Sequence, residues 1–159
     1  MMRLLFVCTG NICRSPTAEA VARARIEALG LDWSVDSAGT SGWHEGEPPD
    51  PRSQAAAAAR GYSFDGLAAR ALVAEDFTRF DNILAMDSGH DSHLRRLAPP
   101  GVSGRISRLM DWAPDKQMGD VPDPYYGTDA GFEDVLDLVE AGVDGLIAAL
   151  RAQPGQASG

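Results

Sequence analysis

The 159-residue sequence is poor in cysteine, histidine and positive charge: two Cys, three His, and 14 Lys plus Arg against 23 Asp plus Glu, for a net charge of −9. Two cysteines cannot build a disulfide framework, so a reducing cytoplasm is the expected compartment, with signal-independent export left open. The acid excess argues against nucleic acid, whose binding runs on cationic contacts to phosphates, and leaves no polybasic patch for anionic lipid. No stretch approaches the roughly 18 apolar residues of a membrane span. Leu4–Val7 is too short for the apolar region of a signal peptide and lacks its basic flank and cleavage site. Cys8 and Cys13 are spaced Cys-x4-Cys, and His44, His90 and His93 form no partner motif, so zinc is not expected. No lysine follows a glycine at the spacing of a nucleotide P-loop. Any phosphate this chain binds must be held by a local pocket rather than by a global field.

What is present alternates between strand and helix signals. Leu4–Cys8 is a short apolar run suited to a buried strand. Ser15 as N-cap and Pro16 at the first helical position open a helix with Ala18, Ala22, Ile26 and Leu29 on one face. Trp33, Val35 and Ser37 alternate with Asp32, Ser34 and Asp36 as a second strand. Asp50, Pro51 and Gly61 bracket an alanine-rich helix. A weak strand follows near Leu67–Leu72, then a stronger one, DNILAMD, ending at Asp87, and a short helix through Leu94 and Leu97. Gly104–Leu109 reads as the fourth strand. Phe132, Val135, Leu136, Val139, Val143, Leu146, Ile147 and Leu150 keep a 3.6-residue period behind Asp129 as cap.

A chain of this length makes one domain. The alternation predicts an α/β fold over residues 1–150: a four-stranded parallel sheet flanked by helices on both faces. Residues 151–159 have no apolar period and are expected to be a disordered tail. Ligands of such sheets bind beyond the carboxyl ends of the strands. That rule places CTGNICRS, Cys8 to Ser15, at the mouth of a site, with the loops TSGWHEGEPPD and VPDPYYG as walls.

A loop that leaves a strand and opens a helix turns successive backbone N–H groups inward as a nest for an oxyanion. Gly10 and Asn11 are suited to the left-handed conformations of a tight cradle. Arg14 supplies a planar fork matched to two phosphate oxygens. Cys8, at the strand end, would lie on the cradle's floor, where the same donors stabilise a thiolate. A thiolate in a phosphate-shaped nest is a nucleophile for phosphoryl transfer. Expelling an alkoxide or phenoxide also needs a general acid. Asp123, followed by Pro124 and two tyrosines, is the candidate.

VCTGNICRSP and DPYYG, in this order and register, resemble the phosphate-binding and general-acid loops of the low-molecular-weight protein tyrosine phosphatases. DSAGTSGWHEGEPPDPR and EDFTRFDNILAMD resemble that family's variable loop and third-strand region, so the likeness runs from Leu4 to Leu150. The resemblance implies Cys8 as the nucleophile and Arg14 as binder of the phosphoryl oxygens. Asp123 would protonate the leaving phenoxide and then deprotonate the hydrolytic water. Ser15 would hydrogen-bond the Cys8 sulfur, and Asn11 would hold the loop, Cys8-Thr9-Gly10-Asn11-Ile12-Cys13-Arg14-Ser15, in shape. Cys13 would be a redox partner of Cys8. Trp43, Tyr125 and Tyr126 would line the substrate slot, and His44 reads as an exposed loop histidine. No metal or cofactor is implied. The partners would be phosphotyrosine-containing proteins, met by a monomer or at most a weak dimer. Leu67 stands where many relatives carry a histidine linked to a supporting hydrogen bond, and His90 stands where an asparagine is common; both depart from the family's pattern.

Two other activities share this scaffold. A thiol-dependent arsenate reductase would need a cysteine pair downstream of Cys13, and there is none. A protein-arginine phosphatase tends to carry threonine at the position of Ile12 and to lack the tyrosine pair, so Ile12 with Tyr125 and Tyr126 favours phosphotyrosine. A non-catalytic phosphotyrosine-binding module would be expected to lose Cys8 or Asp123, and both are present.

Overall fold

Apolar side chains on both faces of the two central strands decide the layering. The computed structural model describes residues 1–114, 119–125 and 127–153. Strands β1 (Arg3–Cys8), β2 (Ser34–Gly39), β3 (Asn82–Ala85) and β4 (Ile106–Arg108) form a parallel sheet in the order β2-β1-β3-β4. Central parallel strands are buried on both faces and read as continuous apolar runs, as LLFVC does. Leu4, Phe6, Cys8 and Leu84 join the larger core with helices α1 (Arg14–Leu29) and α5 (Asp129–Arg151). Leu5, Val7, Ile83 and Ala85 face the other way, with Phe77 of α3 (Asp76–Arg79) and Leu94 of α4 (Ser88–Leu97). Helix α2 (Pro51–Ala59) packs on α5. The expected α/β architecture, helices on both faces of one four-stranded sheet, is the one observed. Among the described residues no helix is long and apolar enough to cross a membrane.

Several local expectations change. Leu67–Leu72 is not a strand; only Ala71 bridges to Gly39. Arg70 is the reason: its N–H goes to the Asn11 side chain and its guanidinium to Asp36 and Asp76, so this segment braces other elements instead of forming a ladder. Strand β4 is shorter than Gly104–Leu109, because 3-10 turns at Ser103–Arg105 and Leu109–Trp112 bound it. Leu29 is exposed at the end of α1, where Gly30 turns the chain left-handed at φ 65°. Asp129 is the first residue of α5 and Thr128 holds the N-cap position. Its carboxylate still favours the helix, since it sits in the first turn against the positive end of the dipole. Asp50 caps α2 as expected, accepting the Arg52 N–H at 2.8 Å. Helix α5 continues to Arg151, one residue into the predicted tail, and residues 154–159 lie outside the described residues.

The sheet order makes the carboxyl ends of β1 and β3 neighbours, with β2 on one side and β4 on the other. This is the switch point at which α/β sheets open a crevice. The loop after β1 and Asp87 after β3 therefore face each other across it.

Candidate active site

The loop Cys8–Ser15 is held at three points. Its start is pinned by the continuation of β2: Thr40 and Ser41 donate backbone N–H bonds to the carbonyls of Cys8 (2.9 Å) and Thr9 (3.0 Å). Its middle is pinned by Asp50, whose N–H reaches the Ile12 carbonyl at 2.8 Å. Its interior is braced by Asn11, the only non-glycine among the described residues with positive φ (58°). The Asn11 carbonyl oxygen accepts the Arg70 N–H at 3.0 Å, and its amide nitrogen donates to Ser15 Oγ (2.8 Å) and Ser37 Oγ (2.9 Å).

Gly10 does not share the left-handed conformation expected of it. A Cβ there would sit 2.9 Å from His44 Cδ2, so glycine is present for close approach rather than for positive φ. Ser15 is likewise not the helix cap. Helix α1 begins at Arg14 with Cys13 at the N-cap position, because the Thr17 N–H and hydroxyl both bond the Cys13 carbonyl (3.2 and 2.7 Å) and close the turn early. Ser15 is instead buried with its Oγ 3.0 Å from Cys8 Sγ. No side chain among the described residues caps α1 and its first turn carries no carboxylate. Its positive end is left for an anion.

The directions of these bonds are settled by elimination. Ser37 Oγ donates to the carboxylate of Glu19 at 2.6 Å, so it can only accept from Asn11. Ser15 Oγ accepts the second Asn11 N–H, and once Cys8 is a thiolate, which can only accept, the Ser15 proton is directed to Cys8 Sγ. Leu67 contributes only packing against the core. Glu19 is buried with Ser37 and Arg23 as its partners. Burial raises its pKa against the opposing Ser37 bond and Arg23 charge.

Arg14 is 4% exposed and spans the crevice. Its Nη1 donates to Asp87 Oδ2 (2.7 Å) and the Val121 carbonyl (3.0 Å), while Nη2 lies 3.5 Å from His90 Nε2 and 3.8 Å from Asp123 Oδ2. Val121 is fixed in turn by its N–H on the Met86 carbonyl (2.8 Å). Asp123 is half-exposed, and its Oδ1 accepts the Tyr125 N–H at 3.0 Å, a local turn at the cavity that both residues line. Burial opposes ionisation of Asp87, but bonds from the His90 N–H and Arg14 hold its carboxyl below the usual range.

These groups enclose a cavity of about 250 Å³ lined by Cys8, Thr9, Gly10, Ile12, Cys13, Arg14, Trp43, His44, Asp123 and Tyr125. Of the residues expected from sequence, Trp43 and Tyr125 stand at its rim and Tyr126 lies outside the described residues. His44 is no free loop histidine: it is half-buried in the lining, with Nδ1 2.6 Å from Glu47 Oε2. Arg52 braces the rim by donating to the Tyr125 carbonyl (2.9 Å) and lying over the rings of Tyr125 and Phe132. Cys8 and Cys13 are both free thiols. Burial, with the charges of Asp50, Cys8 and Asp123 and against a Ser53 hydrogen bond, pushes the Cys13 thiol up to about 12.

Asp87 and His90 were not legible as site residues. The one available signal was position, since Asp87 follows the strand next to β1. Among the described residues no cluster of His, Cys, Asp and Glu is arranged to hold a metal ion.

Comparison with known proteins places the chain in a family. The family model for "Low molecular weight phosphotyrosine protein phosphatase" matches residues 3–156. A low molecular weight protein-tyrosine-phosphatase of Streptomyces coelicolor is 53% identical over 156 residues, covering 95% of this chain and 94% of the relative. The crystal structure of a protein tyrosine phosphatase from Entamoeba histolytica, with Hepes in its active site, superposes with a TM-score of 0.92. It is 40% identical and covers 95% of this chain and 97% of its own. A Drosophila arginine phosphatase superposes with a TM-score of 0.90 at 30% identity, over 96% of this chain and 99% of its own. Matched along nearly its whole length, with a thiol, an arginine and a carboxylate lining one cavity, the protein belongs to the low molecular weight phosphotyrosine protein phosphatase family.

Proposed function

We propose that this chain hydrolyses phosphotyrosine in proteins, and small aryl phosphates, through a cysteinyl-phosphate intermediate. The observation that carries the reading is the meeting of Cys8, Arg14 and Asp123 in one cavity, with Ser15 Oγ 3.0 Å from Sγ. In the first step the Cys8 thiolate attacks phosphorus in line, the P–O bond to the aryl group breaks, and Asp123 gives its proton to the departing oxygen. The backbone nest and the Arg14 fork hold the equatorial oxygens where charge is spread in the transition state. In the second step Asp123 takes a proton from water, the water oxygen attacks phosphorus, and the S–P bond breaks. Inorganic phosphate leaves and the thiolate returns, stabilised by the Ser15 proton. No residue of the site requires a metal for either step.

Trp43 and Tyr125 at the rim suit a flat aryl leaving group, and Tyr126 is assigned to the same slot from sequence. Cys13 is assigned as redox partner of Cys8. The activity is placed in the cytoplasm, where reduction keeps Cys8 a thiol, and in a monomer or weak dimer.

Turnover of an aryl phosphate by wild type and Cys8→Ser tests the mechanism: the variant should be inactive, and near-full activity would sink it. The likeness to an arginine phosphatase supports one second reading, hydrolysis of phosphoarginine on the same nest. Peptides carrying phosphotyrosine or phosphoarginine, assayed side by side, separate the two. Preference for phosphotyrosine is expected.

A further inference from the structure

His90 is a buried ionisable side chain at the site to which neither the two-step chemistry nor the redox assignment gives a task. It is 5% exposed and belongs to the first turn of α4, yet its ring reaches across the crevice into the loop after β1. Nε2 lies 2.8 Å from Thr9 Oγ1 and 3.5 Å from Arg14 Nη2. Nδ1 lies 3.1 Å from Asp87 Oδ1 without a hydrogen bond. That oxygen already accepts His90's own backbone N–H at 2.9 Å, which holds it off the line of the ring N–H.

Two contacts select the tautomer independently. A guanidinium has five N–H donors and no acceptor, so the ring nitrogen facing Arg14 must present a lone pair. A carboxylate beside Nδ1 repels a lone pair and attracts an N–H, even one badly aligned. Both demand a proton on Nδ1 and none on Nε2. The Thr9 hydroxyl then donates to Nε2, and its own lone pairs are left toward the loop.

We propose that His90 is a positioning residue for Arg14: as the Nδ1–H tautomer it accepts from Arg14 Nη2 and the Thr9 hydroxyl, and so fixes the guanidinium plane across the anion nest. With Asp87 and the Val121 carbonyl taking both Nη1 hydrogens, His90 completes the grip on one edge of the fork. The remaining Nη2 hydrogen and the Nε hydrogen have no hydrogen-bond partner among the described residues, Asp123 Oδ2 lying 3.8 Å from Nη2 as an ion pair. They are the pair available to a phosphate. A proton on Nε2 would turn a donor toward Arg14 and cancel the grip, and a second proton added to the Nδ1–H ring would also set a cation against the guanidinium. Burial first, and the Arg14 charge second, keep the ring neutral down to about pH 4, against the opposing charges of Asp87, Asp123 and Asp120.

The assignment rests on the phosphatase reading for its purpose, but its test does not need turnover. Long-range proton–nitrogen NMR of the wild-type His90 ring should find Nδ1 protonated and Nε2 bare at neutral pH. A protonated Nε2 there overturns the proposal. Binding of inorganic phosphate then reads the grip. His90→Leu, which fills the space without an acceptor, should weaken phosphate roughly 10-fold, the scale of one hydrogen bond to a charged group. His90→Gln, whose carbonyl oxygen can stand where Nε2 stands, should restore most of that loss. Equal weakening in both variants, or none in either, overturns the proposal. Were wild type to bind phosphate with the expected tautomer yet hydrolyse no aryl phosphate, the functional reading alone would fail.

Discussion

The Ser15 hydroxyl sits 3.0 Å from the Cys8 sulfur with one lone pair already occupied by the Asn11 amide. A Cys8 thiolate can only accept, so it takes the Ser15 proton, and that bond matters most when Cys8 is the leaving group. Ser15→Ala should therefore spare the first step more than the second. With a good aryl leaving group the variant should show a burst of phenol and a steady rate about 10–100-fold slower, the cost of one hydrogen bond to an anion. Rapid-quench measurement of the phosphoenzyme checks this. A uniform slowing with no accumulated intermediate would remove Ser15 from the second step.

Asp123 is half-exposed and aimed by the Tyr125 N–H, with Arg14 Nη2 at 3.8 Å. A general acid matters in proportion to the basicity of the oxygen it protonates. Asp123→Asn is expected to lower kcat by roughly 10²–10⁴-fold on phenyl phosphate. On a phosphate whose phenol is strongly acidic the loss should be far smaller. A series of substituted phenyl phosphates gives the slope, and a loss independent of phenol pKa would argue against the acid role.

The fold and the candidate reacting groups are legible for one reason, and their supports are hidden for another. Strands buried on both faces leave apolar runs, and α5 leaves a period, because burial constrains every residue of an element. Cys8, Arg14 and Asp123 stand out because no structural need explains a thiol, an arginine and a carboxylate in those loops. Ser15 shows the limit: a serine before a proline at a strand–helix junction looks like a cap whether its hydroxyl faces a backbone N–H or a sulfur. Asp87 is ambiguous in the same way, since it caps α4 through Oδ1 and grips Arg14 through Oδ2. Contacts such as Thr9–His90 and Arg70–Asn11 join residues far apart in the chain, and nothing local in the sequence marks them.

The two cysteines should react very differently. With its pKa pushed up to about 12 by burial, Cys13 is a neutral thiol at neutral pH. The thiolate is the species that alkylating agents capture. Iodoacetamide at neutral pH should modify Cys8 and leave Cys13 intact, and bound inorganic phosphate should protect Cys8. Peptide mapping by mass spectrometry decides it. Faster labelling at Cys13 would contradict the burial argument. Any disulfide between the two must then begin with oxidation at Cys8, since Cys13 is the poorer nucleophile at that pH.

Gly145 tests the packing of α5 against the turn Leu109–Trp112. Glycine inside an exposed helix costs about 1 kcal/mol relative to alanine, so Gly→Ala there normally stabilises. At Gly145 a Cβ would lie 1.9 Å from the Trp112 carbonyl oxygen, a backbone atom with no room to yield. Gly145→Ala should destabilise by about 1–3 kcal/mol or more, the range for overpacked interiors. Urea denaturation measures it, and a stabilised variant would show that this helix and turn do not meet so closely.

His90 gives stability a pH dependence of definite sign. In the unfolded chain its imidazole takes a proton below about pH 6.5, whereas in the folded protein it stays neutral until about 4. Between those values the unfolded state binds more protons, so stability must fall as pH falls. The full loss approaches 3 kcal/mol in order of magnitude, and it stops growing below the folded pKa. Glu19 acts in the opposite sense: its folded pKa is raised, so acid relieves the cost of burying its charge. The two would partly mask each other in wild type alone. His90→Gln removes one and keeps the other, so the difference between the proteins isolates His90. Urea midpoints at about pH 7 and about pH 5 should separate more in wild type than in the variant. Equal separations would mean that the ring takes up its proton in the folded state as easily as in the unfolded one.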